Sequence, residues 1–290
     1  MSLSDEQRAQ REANLRLVRA YVGLVTVMGD ALGRLAQKQP WRTSLLRRAM
    51  QNVFEEAFDK EWLLVALGRL PRGPDGLAQR LSAVAAFTLV LTRQMLLSPA
   101  DTVELCMAAL VHDLSRVPPE LEPPGHLGLR SALRCSADVL TDEVCHQTSV
   151  ALEWALPLST NPRATARLIA PPSIFELLTQ PGPNRPPVGS DHVMRLLGQL
   201  AGQRLDSTAV ELFVRTLGFF PPGTSVQLSD GSMAVVVAPP SDANVAQPRV
   251  RPLDAKGGLG RELSLSGNPD LMVRQEIRPT VNPLRAWLEP

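Results

Sequence analysis

Apolar residues recur at steps of three, four or seven from residue 12 to about residue 70. This spacing keeps one side of an α-helix apolar and predicts amphipathic helices. A proline at position 40 interrupts the pattern, and the turn-forming segment PRGPDG at 71–76 ends it. The positions that define the apolar side are Leu15, Val18, Val22, Val25, Leu32, Leu35, Leu46, Met50, Val53 and Phe54.

Two further helices are predicted after this turn. The first carries an apolar stripe over residues 77–95. The second has a complete start signal, with Ser98 as the N-cap, Pro99 at the first helical position and Asp101 in the first turn. A carboxylate in the first turn is favourable because it lies near the unpaired backbone amides.

The second of these helices ends in a polar pair, His112 and Asp113. His112 follows Leu105 by seven residues and Ala109 by three, whereas Asp113 follows Cys106 by seven and Ala109 by four. Residues at these separations share one side of a helix. We therefore expect both polar side chains to face the helical bundle and to be at least partly buried.

Proline-rich segments at 117–128 and 180–189 divide the rest of the helical region. Between them the helical pattern extends through about residue 156 and, interrupted by Pro171 and Pro172, through about residue 179. Two more helices are predicted at about 190–202 and 206–217.

After Gly218 the period of the apolar residues changes from that of a helix to two. Val226 and Leu228 alternate with polar residues, and a second alternating run covers 233–237. Asp230 and Gly231 between them predict the positive-φ turn of a tight hairpin. Further short strands are predicted near 249–253, 262–265 and 272–277. The pattern thus predicts a mainly α protein with an N-terminal helical region at 1–70, a helical domain at 71–220 and a small β-rich element at 221–290.

Composition and charge exclude only a few classes of function. Hydrophobic residues make up 44% of the chain, charged residues 20%, and the formal net charge is +1. This balance provides no general attraction to DNA or another polyanion. The polar N-terminus lacks the apolar segment of a signal peptide, and no apolar run reaches the roughly 18 residues of a membrane span. We therefore expect a cytoplasmic protein with no membrane span.

Two stretches of the chain carry a resemblance to a known family. LCMAALVHDLSRV at 105–117 resembles the metal-binding helix of HD-domain phosphohydrolases. LFVRTLGFFPPGTSVQLSDGSMAVVV at 212–237 resembles the end of the HD-GYP subfamily, whose active members hydrolyse cyclic di-GMP. The segment at 47–70 resembles the helical region that precedes the HD core in some members. The resemblance implies an HD-type helical bundle with N-terminal helices and a small C-terminal β element.

The family's reaction needs two or more divalent metals, which acidify a bridging water and neutralise the scissile phosphodiester. The resemblance implies where their ligands would lie. A family histidine is replaced here by Arg80, and a family aspartate by Ser173. His146 falls where the family has a histidine pair, and His126 matches a further histidine if a shortened loop is accepted.

The family's glycine-tyrosine-proline signature is also altered. The corresponding segment is LEWALP at 152–157, in which only Pro157 matches. Ser115 replaces the glycine that usually follows the HD pair, and Arg116 replaces the next lysine. Of these substitutions, only the one at Arg116 keeps a cation that could meet a phosphate.

These replacements predict a structural role for His112 and Asp113. A guanidinium repels a divalent cation, so Arg80 in the place of a ligand is incompatible with a metal there. We predict that Arg80 forms a charge-assisted pair with Asp113 and replaces the lost metal charge. We expect no catalytic residue, no metal and no other cofactor. On this interpretation the former metal-site positions are Arg80, His112, Asp113, His146 and Ser173.

The sequence therefore favours a pseudoenzyme, a signalling or scaffolding protein of a bacterial cytoplasm. It would act through protein–protein interaction in cyclic di-GMP-related regulation, using the surface that an active relative uses for catalysis. The amphipathic N-terminal helices fit either a homodimer interface or the core of the monomer.

In two alternative functions the chain still binds cyclic di-GMP. In one, the chain is a weak metal-dependent cyclic di-GMP phosphodiesterase, with Mn, Fe or Mg held by His112, Asp113, His126 and His146 and the phosphate steadied by Arg116. In the other, the chain is a sensor that binds cyclic di-GMP without turnover. No compact arginine motif marks a nucleotide site, so protein partnership ranks first.

Overall fold

The computed structural model describes residues 4–37, 39, 43–73, 76–113, 167–182, 185–241, 244–268 and 270–289. Over these residues the chain is mainly helical and carries a small antiparallel sheet near its C-terminus, which confirms the mainly α class. The described helices are α1 Asp5–Ala36, α2 Thr43–Glu56, α3 Glu61–Gly68, α4 Gly76–Gln94, α5 Pro99–Val111, α6 Ala170–Thr179, α7 Ser190–Leu200, α8 Ser207–Leu217 and α9 Arg285–Leu288. The described strands are β1 Ser225–Leu228, β2 Met233–Ala238, β3 Arg249–Leu253, β4 Leu263–Ser264 and β5 Val273–Glu276. Among the described helices, none is both long enough and apolar enough to cross a membrane.

Helix α1 begins well before its apolar pattern does. Ser4 and Gln7 form a reciprocal capping box, in which each side chain accepts from the other residue's backbone N–H. These two bonds satisfy amides that would otherwise have no partner, so the polar first turns are helical. Further along, Leu17, Leu24 and Met28 are fully buried within the chain's own core. The buried side of α1 thus differs from the predicted one, since Val22 of the predicted stripe is 55% exposed, and it completes the core of this chain.

Helices α4 and α5 form the centre of the helical body. Most side chains of α4 are buried all round the helix, as expected for a helix enclosed by others. Helix α5 starts as the sequence predicts, because the Ser98 hydroxyl accepts from the Asp101 N–H at 3.1 Å. A single cluster of buried apolar side chains runs from Leu17 in α1 to Leu217 in α8.

The five strands form one antiparallel sheet in the order β4-β3-β2-β1-β5. The strands predicted near 249–253, 262–265 and 272–277 are all present, although β4 has only two residues. The hairpin predicted around Asp230 and Gly231 is present between β1 and β2. Only Gly231 has a positive φ, of 88°, while Asp230 accepts from the backbone N–H of Ser232 at 2.9 Å. The Asp230 carboxylate therefore stabilises a hairpin loop that is slightly longer than a two-residue turn.

The segment that joins the helices to the sheet packs closely on α3. Gly223 has a φ of +88°, and a Cβ atom at this position would lie 3.0 Å from Ala66 of α3. Glycine is required here both by the backbone conformation and by the lack of space. The first hairpin is thereby fixed against the helical body.

Helix α9, which the sequence pattern did not predict, returns the C-terminus to α1. Leu284, just before α9, is 6% exposed and joins the main core. The side-chain amide of Asn14 in α1 donates to the Trp287 carbonyl oxygen at 2.7 Å. The first and last helices of the described chain are therefore in direct contact.

Candidate functional site

Arg80 lies at the centre of a buried polar cluster, the Arg80 cluster, which comprises Arg80, His112, Asp113, Ser173 and Glu176. Its Nε donates to Asp113 Oδ2 at 3.0 Å, which is the pair that the sequence predicts. Its Nη1 donates to Glu176 Oε2 at 3.2 Å, and its Nη2 donates to Ser173 Oγ at 3.3 Å. One guanidinium thus connects α4 to α6 and to the end of α5.

The burial of Arg80 follows from its position on α4. Its side chain is only 5% exposed, because α4 is enclosed by other helices. A charge in such a place is strongly destabilising unless it is paired and hydrogen-bonded. The planar guanidinium meets this need with donors that point in several directions.

The buried carboxylate of Asp113 also requires the Arg80 guanidinium as a partner. Asp113 comes directly after His112, the C-cap of α5, where the unpaired carbonyl groups make a negative charge unfavourable. The residue is 6% exposed. The Arg80 guanidinium therefore offsets both the burial of the carboxylate and the helix dipole.

His112 and Ser173 share a hydrogen bond that joins the end of α5 to α6. The Nδ1 of His112 lies 2.6 Å from the Ala109 carbonyl oxygen, which can only accept, so Nδ1 carries a proton. The Nε2 of His112 lies 2.8 Å from Ser173 Oγ. Ser173 Oγ also accepts from Arg80, so this hydroxyl links the imidazole to the guanidinium.

Glu176 is the member of the cluster that sequence reasoning missed. It is 2% exposed and binds two arginines, since Arg72 Nε also donates to Glu176 Oε1 at 2.7 Å. Its position three residues after Ser173 on the same helix was the available signal. It is also the only charged residue in the otherwise apolar segment LIAPPSIFELLT.

The residues of the Arg80 cluster do not fit a divalent metal. Asp113 already binds the Arg80 guanidinium, and Nε2 of His112 is hydrogen-bonded to Ser173. A metal bound to these two side chains would lie beside a permanent positive charge. Within the described ranges, no group of three or more His, Cys, Asp or Glu side chains could hold a metal ion.

Burial gives Glu176 a distinct response to pH. It raises the pKa of Glu176 above its ordinary value, and the Arg80 and Arg72 guanidinium groups offset only part of this effect. Folded Glu176 then keeps its proton to a higher pH than unfolded Glu176. We expect the free energy of unfolding to fall as the pH rises from about 4.3, the ordinary glutamate value, through the raised pKa.

Urea unfolding of the wild type and of Glu176→Gln over this pH range checks this prediction. As the pH rises, the free energy of unfolding of Glu176→Gln should increase relative to that of the wild type. Glu211→Gln is the matched control, because Glu211 is 68% exposed in its side chain and should give no such trend. A difference that stays constant with pH for Glu176→Gln would contradict the prediction.

Three of the sequence-predicted site residues, Arg116, His126 and His146, lie outside the described residues. Two further polar residues, His192 and Arg185, have local structural roles. His192 is exposed and lies 3.0 Å from Asp191 Oδ1. Arg185 donates to the carbonyl oxygens of Leu177, Leu178 and Gln180, and so satisfies the C-terminal end of α6.

Comparisons of the chain with protein-family models, with curated proteins and with solved structures gave no match.

Proposed function

We propose that this chain is a non-catalytic HD-GYP-like protein that acts in signalling by binding a partner protein. The observation that carries the proposal is the position of Arg80. Its guanidinium donates to Asp113, at 3.0 Å, and to Ser173, at 3.3 Å, two positions that the family resemblance relates to metal ligands. The proposal thus combines the resemblance with the contacts of one side chain.

The chemistry of arginine supports the loss of catalysis. Metal-dependent hydrolysis of a phosphodiester requires a water molecule whose pKa is lowered by a bound cation. Arginine does not lose its proton in proteins, so it can neither ligate a metal nor act as a general base. In the Arg80 cluster it donates to two buried carboxylates, those of Asp113 and Glu176.

Exposed apolar side chains support a protein partner. Phe58 is 69% exposed and Leu96 is 92% exposed. Leu96 also has a φ of 53°, in the left-handed region that leucine rarely adopts. Arg93, three residues before Leu96, lies over the Phe58 ring at 5.9 Å, so both side chains are near the C-terminal end of α4. His112 and Asp113 are 2% and 6% exposed, so we favour this apolar surface over the cluster itself as the contact.

Elemental analysis, a cyclic di-GMP hydrolysis assay and calorimetric titration with cyclic di-GMP together test the proposal. We expect no stoichiometric metal, no turnover and no saturable binding. Turnover that His112→Ala abolishes would establish the enzyme instead, and tight binding without turnover would establish the sensor. Either result would overturn the proposal.

The positive test uses a partner that co-purifies with the wild-type protein. Binding of that purified partner should weaken at least about tenfold with Leu96→Asn, which removes the apolar side chain and suits the left-handed backbone. Val188→Asn is a matched control, because Val188 is an exposed apolar residue of another segment. Equal loss in both variants, or no loss in either, would argue against the surface around Leu96.

A further inference from the structure

A small cleft lies between α1, the end of α3 and the segment that follows α3, and Glu176 of α6 also lines it. Its volume is about 230 Å³. This is below the roughly 300 to 1,000 Å³ that is usual for sites of drug-sized ligands. We call it the Tyr21 cleft, and its apolar wall includes Val18, Val22, Val25, Leu67 and Leu284. The cleft therefore suits a ligand with a compact aliphatic body.

Tyr21 provides the polar group of this cleft. The residue is 6% exposed, and its hydroxyl has no hydrogen-bond partner among the residues that the structure describes. Burial, with a smaller effect of Glu176, raises the pKa of Tyr21, so the hydroxyl stays protonated. The hydroxyl is not one of the fully buried side-chain atoms that lack a partner, so it is accessible from the cleft, and a tyrosine hydroxyl beside an apolar wall normally takes a hydrogen-bond partner. A ligand oxygen in the cleft would supply that partner.

The charges at the cleft indicate what charge the ligand carries. The charged side chains that line it are Arg72 and Glu176, which bind each other at 2.7 Å. An ionised ligand would lack a counter-charge of its own beside an apolar wall, which is unfavourable. Gln79 adds a polar amide, whose Oε1 accepts from the Gly73 N–H at 2.6 Å and whose Nε2 can still donate. The polar groups that remain for a ligand are therefore uncharged or already neutralised.

We propose that the Tyr21 cleft binds a small uncharged molecule with an aliphatic body and one hydrogen-bonding oxygen, such as a ketone, an alcohol or an ester. The oxygen accepts from the Tyr21 hydroxyl, and the aliphatic part contacts the valine and leucine side chains. The proposal does not depend on the function proposed above, because no residue of the cleft except Glu176 belongs to the Arg80 cluster.

Tyr21 is the only tyrosine of the chain, which makes a direct test available. Protein labelled with ring-¹³C tyrosine gives one set of signals, and these report on the cleft alone. The probes are cyclohexanone, cyclohexanecarboxylate and cyclohexylammonium, which share a ring and differ in charge. We expect cyclohexanone to shift the Tyr21 signals saturably in the millimolar range, and the two ions to bind at least about tenfold more weakly.

Two variants separate a specific site from weak general association. Val22→Trp fills the rim of the cleft and should abolish binding, whereas Val188→Trp, outside the cleft, should not. Tyr21→Phe, followed through the signals of cyclohexanone itself by saturation transfer, should weaken binding about two- to tenfold. Val22 is 55% exposed, so its replacement leaves the core intact. Equal affinity for all three probes, no saturable shift, or unchanged binding by Val22→Trp would overturn the proposal.

Discussion

Replacement of Arg80 by methionine is expected to lower the free energy of unfolding by about 3 to 5 kcal/mol. The change leaves Asp113 and Glu176 buried, and each loses a hydrogen bond from the guanidinium at 3.0 and 3.2 Å respectively. Most of the loss comes from these two carboxylates, which would keep too little compensation for their burial. Urea unfolding followed by circular dichroism measures the effect.

Arg34→Met is the matched control for this prediction. Arg34 pairs with Asp30 at 2.9 Å, but the side chains are 50% and 64% exposed. Such a pair contributes about 0.5 kcal/mol or less. A second comparison removes Arg80, Asp113 and Glu176 together in favour of apolar residues, and should recover much of the loss because no carboxylate is then left unpaired. If Arg80→Met were no more harmful than Arg34→Met, the assigned role of Arg80 would be wrong.

Replacement of Phe175 by alanine is expected to have a similar effect, about 3 to 5 kcal/mol, for an unrelated reason. Phe175 is fully buried in α6, between Phe87 of α4 and Phe213 of α8. Its ring meets theirs edge-on, with centroid distances of 5.8 and 5.5 Å. The Arg69 guanidinium lies over the same ring at 5.5 Å. Alanine removes all three contacts and leaves a cavity at the junction of three helices.

The same unfolding experiment with Phe58→Ala provides the comparison. Phe58 is 69% exposed, so its truncation should change stability by about 0.5 kcal/mol or less. Phe175→Leu should fall between the two alanine variants, because it keeps part of the buried volume. If Phe175→Ala and Phe58→Ala had the same unfolding midpoint in urea, α6 would not pack as described.

The sequence predicts those features of the Arg80 cluster that depend on residue spacing within a single helix. Helical spacing put His112 and Asp113 on the buried side of α5, and both residues are 6% exposed or less. The pairing of Arg80 with Asp113 followed from charge and from the family resemblance. Strands β1 and β2 were also predictable from the alternation of apolar residues, although β2 is buried on both faces from Ala234 to Ala238.

The contacts that could not be predicted depend on packing between distant segments. Arg72 and Glu176 are 104 residues apart, and neither stands in a motif. Tyr21 was not among the positions that the apolar pattern marked on α1, and its cleft depends on the packing of α1 near α3 and Leu284. The hairpin between β1 and β2 is present, and the conformation of its turn has a local cause. The Asp230 side chain binds the Ser232 backbone, which favours a loop with a single left-handed residue at Gly231.

The bond between Asn14 and the Trp287 carbonyl oxygen has a consequence for synthesis on the ribosome. The two residues are 273 positions apart, so at about 5 to 20 residues per second roughly 14 to 55 seconds pass between their additions to the nascent polypeptide. Over that interval α1 can settle against its earlier neighbours, but its last contacts are still missing. Leu284 is added almost as late as Trp287, so the Tyr21 cleft acquires this part of its wall long after Tyr21 itself has been added.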